Sequence, residues 1–235
     1  MLQQSLNREN LNWEMLPLKK KKLIEQHLRL VLEANKKTNL TRISSYDEGV
    51  LLHVEDSLVG LQELSGAPEG FYADMGSGAG YPGIPLSIAL GKPVLLIDSV
   101  AKKMIILDSI IKELGLESHI STYSGRIEEL SRERGGEFAV LTARALTSLP
   151  SLLELAAPLL QLFGQLVCFK AQPSAEEVEA AMSLEEKLGL TLVSDRKTML
   201  SDKTITRRIM VFEKQAQPKT ELPRRTGLAQ KRPLA

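Results

Sequence analysis

The sequence has little cysteine and no long apolar run. Its only cysteine, Cys168, excludes an intrachain disulfide and a cage of several thiolates around a metal ion, as expected in a reducing compartment. No apolar stretch approaches membrane-spanning length, and Met1–Glu9 lacks a basic segment followed by an apolar one. We therefore predict a cytoplasmic protein that binds no metal and has no membrane partner.

Aromatic residues are also scarce, at 4% of the chain. Modules that only bind single-stranded RNA need aromatic stacking platforms, so the composition disfavours that class. The net charge of +1 is unevenly distributed, because nine basic residues face two acidic ones after position 202, which leaves +7 there and −6 before it. A basic tail on an acidic body indicates either a polyanionic partner or a solvated tail.

Hydrophobic periodicity predicts helices at about 16–35 and 47–64, followed by a break at 65–70. Beyond the break, apolar runs predict strands at 71–75, 93–98, 119–123, 137–142 and 163–170, and a closing strand, interpreted as an antiparallel edge, at 205–214. Helices are predicted between them at 84–90, 102–114, 127–134 and 149–162. This alternation is typical of a doubly wound α/β sheet. We divide the chain into a helical cap (1–66), a core (67–216) and a basic tail (217–235).

A glycine-rich loop follows the first predicted strand, with the sequence Asp-Met-Gly-Ser-Gly-Ala-Gly-Tyr-Pro-Gly at 74–83. Gly76 and Gly78 allow a ligand to approach the backbone closely, at the sheet edge where doubly wound folds bind nucleotide-like ligands. Because Tyr81 stands where a dinucleotide-binding loop needs its third glycine, the pattern favours S-adenosyl-L-methionine over NAD, and an oxidoreductase ranks lower. The missing Gly-Lys-Ser/Thr excludes a phosphate-binding P-loop.

Polar residues follow the next three strands. Asp98 lies 22 residues beyond Gly76, where a carboxylate accepts hydrogen bonds from ribose hydroxyls; as an alternative, it caps the following helix. The segment Arg126–Glu129 is placed to cover an adenine ring and to meet its amine, although its acids also suit a solvated first helical turn. Arg144 follows the fourth strand, where an arginine beside a buried strand needs a partner.

The sequence resembles the GidB family, bacterial methyltransferases of guanine N7 in small-subunit ribosomal RNA. The segments that carry the resemblance are Asn39–Thr41, His53 with Asp56–Leu58, 74–85 with its Pro-Gly-Ile-Pro extension, Asp98–Ser99, Arg144–Ala145, Pro223–Arg225 and Lys231–Leu234. One departure is Ala171, where the family usually has glycine after the fifth strand. The resemblance implies a mostly parallel, seven-stranded, Rossmann-like methyltransferase sheet with an N-terminal helical cap.

The resemblance also implies a set of site residues and a partner. The expected cofactor contacts are Gly76, Tyr81, Ile127, Glu128 and Arg144, with Gly78 and Asp98 added from the loop and spacing arguments. The expected substrate is 16S ribosomal RNA of the small subunit. Its expected contacts are Arg207 and Arg208, chosen as basic residues, and the tail residues Arg224, Arg225, Lys231 and Arg232, which the resemblance supports. The tail is expected to hold RNA phosphates outside the cofactor crevice, and the protein is predicted to be a monomer.

Guanine N7 carries an in-plane lone pair and no proton, so its methylation needs no general base. The chain fits this chemistry, because it lacks the Asn/Asp-Pro-Pro-Tyr element of amino-group methyltransferases, and Ala143–Ala145 stands there instead. Catalysis would rest on positioning and a polar surround, and no catalytic residue is assigned. Lys170 is the candidate base if the target were a ribose hydroxyl. His53 and Asp56 line the substrate side or form a buried hydrogen-bonded pair.

Overall fold

The computed structural model describes residues 13–235, so Met1–Glu9 lies outside the described residues. The cap contains a short 3₁₀ turn at Trp13–Met15, α1 (Leu18–Thr38), α2 (Tyr46–Gly49), a π-helical stretch at Val50–Glu55, α3 (Asp56–Leu58) and α4 (Leu61–Gly66). The later helices are α5 (Gly83–Leu90), α6 (Ala101–Glu113), α7 (Ile127–Arg134), α8 (Leu149–Ala156), α9 (Ala175–Met182), α10 (Glu185–Leu188) and α11 (Leu228–Lys231). No helix in residues 13–235 is long and apolar enough to cross a membrane.

The strands form one seven-stranded sheet in the order β3-β2-β1-β4-β5-β7-β6. They are β1 (Phe71–Met75), β2 (Val94–Asp98), β3 (Ile120–Ser124), β4 (Phe138–Arg144), β5 (Leu160–Lys170), β6 (Leu190–Met199) and β7 (Thr206–Lys214). The first five are parallel, and β7 runs antiparallel to both β5 and β6. This confirms the predicted fold class, with a switch point between β1 and β4.

Three predicted elements were wrong in detail. The closing strand β7 is antiparallel but internal, because β6 forms the edge. Periodicity missed β6, whose exposed face carries charged residues, as edge strands often do. The helix predicted to reach 162 ends at Ala156, since Pro158 has no N–H to continue it. The second predicted helix is interrupted between α3 and α4.

Helices cover both faces of the sheet, as the alternation of strands and helices requires. Alternate residues of β1 point to opposite layers: Tyr72 packs in the layer of the cap, α5 and α6, and Ala73 packs in the layer of α7, α8 and the tail. The cap joins the core through Ile24 and Leu28, one turn apart on α1 and fully buried in the first layer. The cap and the tail therefore lie on opposite faces of the sheet and flank its carboxyl edge.

Candidate cofactor crevice and its arginine cluster

The glycine loop is bound tightly to the end of the neighbouring strand. The backbone N–H groups of Gly76 and Ser77 both donate to the carbonyl oxygen of Ile97, over 2.8 and 3.0 Å. Gly78 has φ = 56°, and a Cβ added there would meet only the Gly76 carbonyl oxygen, at 4.0 Å. The loop therefore leaves open space above Gly78, and a positive φ makes glycine the favoured residue.

Asp74 holds the loop from below. Its fully buried carboxylate accepts hydrogen bonds from the Thr142 hydroxyl at 2.7 Å and from the Gly83 backbone N–H at 3.1 Å. It thereby links β1 to β4 and to the start of α5. Burial raises the pKa of Asp74 to about 6, despite these hydrogen bonds. The carboxylate is a structural anchor of the loop.

A crevice of about 350 Å³, open to solvent, lies at the carboxyl ends of β1, β2 and β3. Four of the predicted cofactor residues line it: Gly76, Asp98, Ile127 and Glu128. The Asp98 carboxylate accepts from the Gly78 N–H at 3.1 Å and from the Val100 N–H at 2.9 Å, so it is fixed in the crevice wall. The N-cap residue of α6 is Val100, so the alternative role of Asp98 as the capping residue is wrong.

The basic tail closes one side of this crevice. Glu128 is only 4% exposed, and its Oε1 accepts from the backbone N–H of Gly227 at 2.6 Å. Gln230 lines the crevice and accepts from the Arg126 guanidinium at 3.1 Å. The expectation that the tail lies outside the cofactor crevice was therefore wrong. The alternative in which Glu128 is solvated was also wrong, because this side chain is buried. Glu129, by contrast, lies exposed in the first turn of α7.

We call residues 223–235 the C-terminal strap. Its main anchor is Arg224, which donates two hydrogen bonds of 2.6 Å to the Glu154 carboxylate on α8. The Ser151 hydroxyl also donates to the Ala229 carbonyl oxygen at 2.8 Å. Glu154 is 2% exposed and needs this positive partner, so Arg224 is not free to bind a phosphate in this arrangement.

A second cluster lies at the end of β4, beneath the cap. Arg144 donates to the Asp56 carboxylate at 2.6 Å, to the Leu52 carbonyl oxygen at 2.8 Å and to His53 Nδ1 at 3.2 Å. Arg207 donates to the other Asp56 oxygen at 2.5 Å. Arg144 was predicted to need a partner, and that partner is Asp56, whose buried carboxylate holds two arginines. His53 and Asp56 are both buried, with Arg144 bridging them.

The Tyr81 side chain belongs to this cluster and does not line the crevice. Tyr81 is 3% exposed, and its ring stacks on the His53 ring with the centroids 4.3 Å apart. The His27 ring also contacts Tyr81, in a tilted arrangement with the centroids 4.6 Å apart. The Tyr81 hydroxyl has no hydrogen-bond partner within residues 13–235. Burial raises the pKa of Tyr81, which keeps the phenol protonated. Tyr81 and Arg144 thus mark the mouth of the site rather than the crevice wall.

Sequence reasoning missed the turn that shapes this mouth. Ala145 adopts φ = 53°, an unusual conformation for a residue with a Cβ, directly after Arg144. The turn places Leu146 in the crevice wall, and a Cβ at Gly76 would lie 2.6 Å from a Leu146 methyl group. By contrast, Ala171 needs no positive φ, so the missing family glycine leaves the end of β5 intact. Strain of this kind, at a strand end beside a crevice, is a signal of function.

Comparison with known proteins agrees with this architecture. The GidB family model, described as rRNA small subunit methyltransferase G, matches residues 20–206. Two similar relatives carry the name ribosomal RNA small subunit methyltransferase G. The protein from Desulfitobacterium hafniense is 36% identical over 97% of this chain and 95% of its own length. The protein from Carboxydothermus hydrogenoformans is 34% identical over 90% of this chain and 91% of its own length.

Among solved structures, an O-methyltransferase from Bacillus cereus in complex with SAH matches with a TM-score of 0.57 and 19% identity, over 80% of this chain and 90% of that one. A geranyl diphosphate methyltransferase in complex with SAM matches with a TM-score of 0.52 and 13% identity, over 68% and 85%. At these identities the structures show the shared fold only. The family match and the relatives, which span nearly the whole chain, show that this protein belongs to the GidB family.

Proposed function

We propose that this protein transfers a methyl group from S-adenosyl-L-methionine to N7 of a specific guanine in 16S ribosomal RNA, in the cytoplasm where the small subunit is assembled. The observation that carries the proposal is the crevice at the ends of β1–β3, whose wall includes Leu146, two residues beyond Arg144, in a chain of the GidB family. Substrates of open α/β folds bind at this edge of the sheet, outside the carboxyl ends of the strands.

The crevice residues fit the proposed cofactor. Asp98 presents fixed carboxylate oxygens suited to two ribose hydroxyls, and Ile127 supplies an apolar surface for an adenine ring. Gln230 adds an amide that can donate to and accept from the edge of a base. The open space above Gly78 would be filled by any side chain. The cofactor supplies an electrophilic methyl group on a positively charged sulfur.

The residues around the mouth suit a reaction that needs no proton transfer. Lys170, the candidate base for a ribose target, forms an ion pair with Glu177 at 2.7 Å and donates to the Thr147 carbonyl oxygen. Cys168 is buried in β5, and burial raises its pKa to about 12, which removes it as a nucleophile. Arg144 is held rigidly by Asp56, so it acts as a fixed positive group that positions its neighbours.

The test uses the lability of N7-methylguanosine, whose chain is cut by borohydride followed by aniline. Cells that lack this protein should lose one such cut in 16S RNA, and the wild-type gene should restore it. Arg144→Ala should fail to restore it, whereas Lys170→Gln, the matched control at the neighbouring strand end, should succeed. A cut that persists in the deletion strain, or a missing mark that proves to be a 2′-O-methyl group, would overturn the proposal.

A further inference from the structure

Three of the six cations that the sequence analysis predicts to contact RNA already bind acidic residues of the same chain. Arg207 binds Asp56, Arg208 binds Asp195 through two hydrogen bonds of 2.6 and 2.7 Å, and Arg224 binds Glu154. Arg225, Lys231 and Arg232 remain exposed on the strap. An RNA strand held on both sides of the crevice would also need cations without acidic partners on the cap side.

One groove on the cap side meets this condition. It lies between the loop that follows α1 and the first turn of α6, and its polar lining includes Asn35, Lys36, Thr41, Arg42, Ser44 and Lys103. None of the described residues that line it is acidic. Neither Arg42 nor Lys103 forms an ion pair with any residue in 13–235, whereas Lys36 has an exposed pair with Glu33, which contributes little.

The first turn of α6 carries two lysines and lies beside the Asp98 carboxylate, which accepts from the Val100 N–H at 2.9 Å. Lys102 and Lys103 lie in the first turn of this 13-residue helix, where the helix dipole favours negative charge. Val100, the N-cap residue, offers no side-chain acceptor to the first turn, although its carbonyl oxygen accepts from the Lys103 N–H at 2.8 Å. A phosphate beside this turn would satisfy both the lysines and the dipole.

The loop side of the groove is held in a fixed shape. Asn39 ends α1 with φ = 51°. The Asn35 amide then spans the loop, because its oxygen accepts from the Thr41 N–H at 2.9 Å and its nitrogen donates to the Ile43 carbonyl oxygen at 3.1 Å. A preformed loop binds a ligand without a large loss of conformational entropy. Residues Asn39–Thr41 do not line the cofactor crevice, and their structural role is to form this fixed loop.

Thr41 connects this loop to the cluster at the site mouth. Arg144 donates to His53 Nδ1, so neutral His53 carries its proton on Nε2 and donates to the Thr41 hydroxyl oxygen at 2.9 Å. Burial and the nearby Arg144 charge lower the pKa of His53 to about 3, which keeps it neutral. The Ile43 N–H also points at the Thr41 oxygen. The Thr41 hydroxyl proton is left to donate, and no residue in 13–235 accepts it.

We propose that the groove formed by residues 39–44 and the first turn of α6 binds backbone phosphates of the RNA strand that carries the target guanine. Arg42 and Lys103 supply the charge, and Thr41 supplies a hydroxyl donor that is connected to Arg144 through His53. The inference rests on the proposed function, since it assigns a docking surface to the same RNA substrate. It places the main cap-side RNA contact on the face opposite the strap.

The test measures binding of 16S RNA transcribed in vitro across a series of salt concentrations. Arg42→Gln and Lys103→Gln should each lower the slope of log affinity against log salt by about 0.7 to 0.9, and the double variant by about twice as much. Lys112→Gln, at the opposite end of α6, is the matched control and should keep the wild-type slope. Calorimetry should show unchanged affinity of all variants for S-adenosylmethionine, which also verifies their folding.

The outcomes separate the groove from the function itself. If the wild-type chain methylates 16S RNA but the double variant keeps full affinity and the full salt slope, the groove assignment is wrong. If the double variant loses cofactor affinity as well, the residues support the crevice and the assignment is also wrong. If the wild-type chain neither binds nor methylates 16S RNA, the proposed function fails, and the groove assignment fails with it.

Discussion

Deleting the C-terminal strap should weaken binding of S-adenosylmethionine, although the strap looks from sequence like a tail for RNA. In the folded chain, Gly227 holds the buried Glu128 carboxylate and Gln230 forms part of the crevice wall. Removing residues 223–235 opens that wall to water and leaves Glu128 without its backbone donor. The cofactor would then face a wider, wetter crevice in which Glu128 keeps its ion pair with Arg126 at 3.8 Å but no backbone donor.

The magnitude follows from the contacts that are lost. A hydrogen bond to a buried carboxylate contributes about 1.5 to 3 kcal/mol, and the more exposed contact between Gln230 and Arg126 contributes less, about 0.5 kcal/mol. We expect about half of this to appear in cofactor affinity, which corresponds to roughly a tenfold increase in Kd. The deletion also strips Arg224 from Glu154, which should lower the free energy of unfolding by about 3 kcal/mol. A domain stable by about 5 to 15 kcal/mol survives that loss.

Calorimetry with S-adenosylmethionine on the folded deletion protein measures the effect, and urea unfolding verifies the fold. The matched control is the full chain with Arg225→Gln and Lys231→Gln, which removes charge from the strap but keeps its contacts with the crevice. The control should bind the cofactor like the wild type. If the deletion protein is folded and binds the cofactor with unchanged affinity, the strap is not part of the crevice wall and the reasoning is refuted.

Three further predictions concern the glycine loop, the Asp56 cluster and the buried His27 side chain. Gly78→Val should abolish detectable cofactor binding in calorimetry while far-ultraviolet circular dichroism stays native, and retained affinity would contradict the loop assignment. Asp56→Asn should lower the free energy of unfolding by about 3 kcal/mol, because Arg144 and Arg207 lose their shared anion; a loss below about 1 kcal/mol in urea titrations would count against that pairing. Burial lowers the pKa of His27 to about 3, so its contribution to stability is complete above pH 6.5 and is lost as pH falls towards 3. Between pH 7.5 and 5, His27→Gln should therefore lose less stability than the wild type, and equal losses would exclude this origin.

The order of elements and the place of the crevice were predictable from local patterns. Short, nearly continuous apolar runs such as β1 and β2, punctuated by glycine and proline, identify buried parallel strands, and parallel strands bring their carboxyl ends to one edge. Gly76 and Asp98 therefore had to meet there, and both line the crevice. The edge strand β6 was not predicted, because only one of its faces packs against the protein and the other carries charged residues. Its sequence therefore lacks the continuous apolar run that identifies a buried strand.

The partners of charged side chains were decided only by the tertiary structure. Gly227 reaches Glu128 across 99 positions of the chain, and Arg144 reaches Asp56 across 88. No local pattern encodes such pairs, because a charge on a helix or strand has the same sequence signature whether it meets water, RNA or a buried acid. Burial decides which of these partners a charged side chain has, because a carboxylate removed from water needs a cation or a backbone donor. The sequence alone thus determined the fold and the crevice, and packing determined which cations remain available to a substrate.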